Sequence, residues 1–210
     1  MFIIVLFVLP LQYIIIQIGY SQIDNSSSPN TTNTIQPPPI VKPKVDLDIE
    51  GTIVDDKIKG GDGDDELNGK EGDDQLNGGK GDDELDGDEG NDIIKGQQGN
   101  DIIDGDEGND NLIGERDVDV ITGHEGDDKV DGGKGDDHLD GSEGNDEING
   151  GEGSDIIIGG LGSDTFICDE FDKIMDFSSI EGDKKNGVCL VDDYTKSNAT
   201  ELARNTTVQK

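Results

Sequence analysis

Basic residues, aromatic and apolar side chains, and the usual ligands of transition metals are all scarce in this chain. Only 16 Lys and Arg stand against 50 Asp and Glu, a formal net charge of −34 over 210 residues. Nucleic acid is excluded as a partner, because its phosphates require a surplus of Lys and Arg. Trp is absent, Phe and Tyr number five and three, and hydrophobic residues make up 30%, whereas an ordinary domain is nearer half apolar. Part of that small share lies in the first twenty residues, so a conventional packed core is excluded. Two His and two Cys do not supply a zinc site of the usual kind. There is no G-x-S-x-G elbow, no H-E-x-x-H motif and no phosphate-binding loop, so the chain is read as non-enzymatic. Carboxylate pairs such as Asp82 and Asp83 recur throughout, and no single pair marks a glycosidase-like site. Cations are the natural partners of what remains.

Glycine and aspartate are abundant, and they are periodic. From Gly51 a glycine recurs every nine residues to Gly159, without insertion or deletion, which defines thirteen units over residues 51–167. The sixth position of every unit is Asp: Asp56, Asp65, Asp74, Asp83, Asp92, Asp101, Asp110, Asp119, Asp128, Asp137, Asp146, Asp155 and Asp164. The eighth is always apolar, running from Ile58, Leu67 and Leu76 to Ile148, Ile157 and Phe166. The fourth is Gly except at Val54 and Asp117. A disordered acidic polymer has no need of an aliphatic residue at every ninth place, so the pattern argues for an ordered array. Asp82-x-Glu84-x-Asp86-Gly87 has the start of an EF-hand loop, but Ile93 stands at the twelfth position, where a Glu belongs.

The unit resembles G-G-x-G-x-D-x-U-x, the nonapeptide of the RTX (hemolysin-type) calcium-binding repeat. Gly60-Gly61-Asp62-Gly63-Asp64-Asp65-Glu66-Leu67-Asn68 shows it whole. Physically, glycines at the first and fourth positions allow backbone angles closed to other residues, and the last three residues read as a short strand with one inward side chain. The resemblance implies an all-β parallel β-roll, in which two nonapeptides make one coil and the coils stack into two facing sheets. One inward side chain in nine is a thin seam, and the array itself carries a net charge of −29. A cation is needed to assemble it. Ca²⁺ suits carboxylates and carbonyls, whereas Mg²⁺ demands a tighter octahedron and keeps its waters.

The resemblance also implies that ions sit between turns of successive coils, held by the sixth-position Asp side chains and by turn carbonyls at Gly63, Gly72, Gly81, Gly90, Gly99, Gly108, Gly126, Gly135, Gly144 and Gly153. Up to about eleven Ca²⁺ ions fit between neighbouring turns. Asp56 and Asp164 are set apart at the array ends, and Asp119 follows a turn in which Asp117 and Val118 replace the usual pair.

Residues 1–21 are uncharged and largely apolar, and read as a signal peptide or a retained membrane anchor, though no positive n-region precedes them. Residues 22–50 are rich in Ser, Thr, Asn and Pro and read as a linker. Asn25, Asn30, Asn198 and Asn205 fit the glycosylation acceptor pattern. Residues 168–194 are expected to cap the array, with Phe166, Ile174 and Phe177 covering the last coil. Cys168 and Cys189 are compatible with a disulfide across that cap or with two free thiols. Residues 195–210 read as a disordered tail.

The expected function is that of an extracellular or cell-surface calcium-binding protein whose roll folds on Ca²⁺, with a structural, adhesive or buffering role. The alternative is a calcium-responsive accessory module of an exported enzyme or adhesin whose effector is a separate chain. A cell-surface or protein partner is most readily placed on outward apolar residues, among them Ile102 and Val120, and a membrane enters only if the first segment is retained.

Overall fold

The computed structural model describes residues 44–191, and the expected export segment, most of the linker, the glycosylation acceptors and the tail lie outside them. The described residues form seventeen short strands and no helix. In chain order they are β1 (Asp48–Glu50), β2 (Lys57–Gly61), β3 (Glu66–Asn68), β4 (Gln75–Lys80), β5 (Glu84–Asp86), β6 (Ile93–Gln98), β7 (Ile102–Glu107), β8 (Asn111–Arg116), β9 (Val120–Glu125), β10 (Lys129–Lys134), β11 (His138–Glu143), β12 (Glu147–Glu152), β13 (Ile156–Ile158), β14 (Thr165–Cys168), β15 (Lys173–Ile174), β16 (Lys184–Gly187) and β17 (Leu190–Val191). Odd strands build a nine-stranded parallel sheet and even strands an eight-stranded one. Each strand therefore pairs with the strand two places along, and Ile94 lies between Leu76 and Leu112, eighteen residues away on either side. This is a β-solenoid of about eight turns.

The eighth-position side chains form one continuous core between the sheets, from Ile58 to Phe166, extended by Ile174 and flanked by Ile49, Phe177 and Val191. The repeat is short because a strand offers inward positions only at alternate residues, and the next inward position after the eighth is the first-position glycine. That place is taken by a carboxylate. A Cβ on Gly105 would stand 2.5 Å from Asp110 Oδ2 and 2.9 Å from the Gly123 carbonyl oxygen. First-position glycines are thus needed for room.

Several expectations are corrected. No first-position glycine has a left-handed φ, whereas the fourth-position glycines from Gly72 to Gly162 do. The second position is left-handed too, even where it is Lys70, Asp88, Gln97, Asp106, Glu115, His124 or Ser142. Strands in the middle coils are six residues long, because pairing runs on past the glycine to the second and third positions of the next unit. The solenoid also begins earlier than the repeat count placed it: β1, from the stretch read as linker, pairs with β3. At the far end Ile174 does not lie over the last coil but joins it, since β15, β16 and β17 continue both sheets. Phe177 packs on Phe166 with ring centroids 6.2 Å apart. Cys168 and Cys189 form a disulfide with Cα atoms 5.6 Å apart. Closing a loop of 21 residues contributes about 3 kcal/mol to stability.

Candidate metal centre

The turns that join the sheets stack into two edges. On one, turns containing Asp65, Asp83, Asp101, Asp119, Asp137 and Asp155 lead into the nine-stranded sheet; on the other, those containing Asp56, Asp74, Asp92, Asp110, Asp128, Asp146 and Asp164 lead into the eight-stranded sheet. Within each edge the sixth-position residues form a ladder. The backbone N–H of Asp92 donates to Asp110 Oδ1 at 2.8 Å, that of Asp110 to Asp128 Oδ1 at 2.8 Å, and that of Asp128 to Asp146 Oδ1 at 2.9 Å. The other edge repeats this from Asp65 to Asp155. Asp119 keeps its place despite the unusual turn before it, because Asp117 adopts the left-handed φ of 75° that a glycine would supply.

From Asp65 to Asp164 these twelve side chains are buried. One carboxylate oxygen is satisfied by the ladder, whereas Oδ2 of all twelve has no hydrogen-bond partner among the described residues. Burial pushes the carboxyls of Asp74, Asp128 and Asp137 up, those of Asp83, Asp92 and Asp164 up to about 6, and those of Asp101, Asp110, Asp119, Asp146 and Asp155 up to about 7. A buried ionised oxygen without a partner is costly, and a row of them one coil apart is costlier.

The ladder ends differ. Asp56 is only half-buried, and its Oδ2 accepts from the N–H and hydroxyl of Thr52, both at 2.7 Å. Asp172 and Asp183 continue the rows at the far end. There Asp172 Oδ2 accepts from the Asp169 N–H at 2.6 Å and Asp183 Oδ2 from the Ser178 N–H at 2.7 Å. Sequence reading missed these two. Asp172-Lys173-Ile174 preserves the Asp-x-apolar spacing of the repeat, a signal that could have found the first, while nothing in the repeat pattern marks the second.

A second ladder was also missed. Fifth-position Asp and Asn side chains accept the fifth-position N–H of the following coil, as Asp73 Oδ1 does from Asn91 at 2.9 Å and Asp127 Oδ1 from Asn145 at 2.8 Å. It runs in the opposite direction to the sixth-position ladder and is exposed. Val118 cannot serve as an acceptor and interrupts it.

The residues present fit a hard cation. Among the described residues no three His, Cys, Asp or Glu side chains gather at one point, so the oxygens available are the buried sixth-position carboxylate of each turn together with main-chain carbonyls. The carbonyls of the fourth-position glycines from Gly63 to Gly153 accept no hydrogen bond among the described residues. Acceptors without donors, in the same turns as buried carboxylates, match the oxygen-only preference of Ca²⁺. The family model of the RTX calcium-binding nonapeptide repeat matches four overlapping times, at residues 50–85, 77–112, 104–139 and 131–166. The chain belongs to the RTX calcium-binding repeat family. RTX repeats bind Ca²⁺ and form a structural domain that is typically non-catalytic, so Ca²⁺ binding follows for this chain. No curated protein matches it significantly.

Proposed function

We propose that this is an extracellular or cell-surface protein whose RTX roll is assembled by Ca²⁺, and that its role is structural. The observation carrying the proposal is the row of twelve buried sixth-position carboxylates, each with one oxygen left without a donor. Those carboxylates and the carbonyls of fourth-position glycines Gly63 to Gly99, Gly108 and Gly126 to Gly153 hold the ions. Asp56 is a weaker ligand than its twelve counterparts, because Thr52 occupies its second oxygen. When bound, the cation supplies the positive charge that the buried rows lack. The chain's own part is to place the oxygens: the first-position glycine makes room for the carboxylate, and the ladder N–H fixes its orientation. Each internal turn faces two neighbours, so sites share residues and binding is cooperative and coupled to folding.

The test is far-UV circular dichroism of the full chain during a Ca²⁺ titration, with Mg²⁺ as the control. A cooperative coil-to-β transition near about 1 mM Ca²⁺, not reproduced by Mg²⁺, is expected. A spectrum that stays coil-like well past that concentration, or a roll already complete in chelator at neutral pH, contradicts the proposal.

A further inference from the structure

The two faces of the roll differ in the sign of their charge. Strands of the nine-stranded sheet carry eleven carboxylates and one lysine, whereas those of the eight-stranded sheet carry four carboxylates and nine Lys or Arg. All of these side chains are at least partly exposed. On the basic face Lys57, Lys59, Lys95, Arg116 and Lys129 make no salt bridge among the described residues, while Lys80 and Lys134 pair with Asp62 and Glu152. On the acidic face Glu66 lies directly beside Glu84, and Asp86 beside Asp104. Like charges opposed across a ladder are destabilising; among the described residues Lys70 pairs with Glu50 and the imidazole of His124 lies 3.4 Å from Asp104, but no Lys or Arg pairs with Glu66, Glu84, Asp86 or Asp104.

We propose that the basic eight-stranded face docks on the acidic nine-stranded face of a second copy of this chain. Charge complementarity is the first argument and periodicity the second. Both faces belong to one solenoid with strands about 4.8 Å apart, so two rolls laid parallel share one spacing, and the Lys and Arg side chains of β2, β4, β6, β8 and β10 can be set against the carboxylates of odd strands β1 to β11 on the other face. Size is the third argument. Nine strands span roughly 40 Å and are two to six residues long, giving about 500 Å² per partner, the area of a small, transient interface, which suits an association that salt disperses. Ile93 and Ile113 on one face and Ile102 and Val120 on the other lie on the middle strands β6 to β9 and are at least partly exposed. They supply the apolar centre within a polar rim that such interfaces have. Because the two contacting faces differ, the contact does not close on itself and builds rows of copies. The inference rests on the Ca²⁺-assembled roll proposed above.

The test is sedimentation velocity of the full chain in saturating Ca²⁺ at ionic strengths of about 20 mM and about 300 mM, with circular dichroism of each sample. Species heavier than the monomer, growing with protein concentration and dispersed by salt, are expected. Lys57→Glu/Lys95→Glu/Lys129→Glu and Glu66→Lys/Glu84→Lys/Asp104→Lys each weaken association at least tenfold alone, and mixing the two restores it. Lys70→Glu, the same charge change on the acidic face, leaves association intact. A roll spectrum with a monomer at low salt, or association indifferent to the three lysines, overturns the docking alone. So does a monomer that binds phosphatidylserine vesicles through those lysines, because the face then serves an anionic membrane. A coil spectrum of the wild type in Ca²⁺ overturns the calcium reading first. If a variant fails to fold, the salt series of the wild type still decides.

Discussion

Adjacent residues in the same turn carry the same chemistry to opposite ends. The fifth-position carboxylates stand in water: Asp73 and Asp127 are held below the usual carboxylate range, first by hydrogen bonds from the side chains of Asn91 and Asn145. One residue later Asp74 and Asp128 are buried, and desolvation pushes them up. Both rows accept backbone N–H groups from neighbouring coils, so what separates them is burial of the inner row and the Asn side-chain hydrogen bonds of the outer one. The inner row also keeps a second oxygen that nothing in the protein satisfies. The outer row stitches turns together; the inner row is where we propose the cation sits.

The comparison breaks first under pH. Because eight inner-row carboxyls have folded values raised to about 6 to 7 by burial, the folded roll binds more protons than the unfolded chain between about pH 4 and 7. Their contribution to metal-free stability is fully present below about pH 4 and is lost as pH rises through 6 to 7. In chelator, circular dichroism should therefore show β structure returning on acidification to about pH 5 and disappearing by about pH 8. With Ca²⁺ on the inner row, as proposed above, protons compete with it there, and the calcium midpoint should rise as pH falls. A metal-free spectrum that ignores pH would remove the distinction between the rows.

Packing provides the next test. Gly108 has φ +145°, and a Cβ there would stand 2.6 Å from the Gly90 carbonyl carbon, whereas nothing lies within 4 Å of a Cβ on Gly61. Gly108→Val, which meets both strain and a backbone clash, should destabilise the calcium-loaded roll by more than about 3 kcal/mol, and Gly61→Asn, which meets only the strain of its φ of +141°, by about 1–2 kcal/mol; thermal melts in Ca²⁺ would measure both. Single neutralisations come next. Asp110→Asn should raise the calcium midpoint roughly tenfold, about 1.4 kcal/mol, yet stabilise the metal-free roll near pH 8, where it removes a buried charge. Asp127→Asn should change the midpoint less than about twofold. The smallest effect is a repair: Val118→Asp gives the Asp136 N–H the acceptor its outer row lacks, for a gain of about 0.5–1 kcal/mol, readable as a small rise in melting temperature.

Much of the fold was legible because the solenoid repeats locally. An apolar residue at every eighth position dictated the seam, and an eighteen-residue coil followed from two turns. The buried Asp rows were legible as residues but not as geometry. That first-position glycine is a matter of room, and that the second position bends left-handed, depends on where Asp110 Oδ2 and the next coil's carbonyl come to rest. Period also misled at the ends. Asp172 lies seventeen residues after Asp155 and Asp183 nineteen after Asp164, so a strict count of nine lost the row where the coil length changes. Asp56 is identical to Asp110 in the repeat and differs because it stands half-buried at the end of its ladder, with Thr52 folded onto its second oxygen.

The most direct test of the inner row as the metal row is a count of bound Ca²⁺ by equilibrium dialysis at saturation. It would compare the wild type, Asp110→Asn/Asp128→Asn and Asp73→Asn/Asp127→Asn, the two variants having the same charge. The account predicts up to about eleven ions in the wild type, fewer in the first variant and an unchanged number in the second. Equal losses from both variants would mean that calcium merely follows negative charge, and would contradict the account.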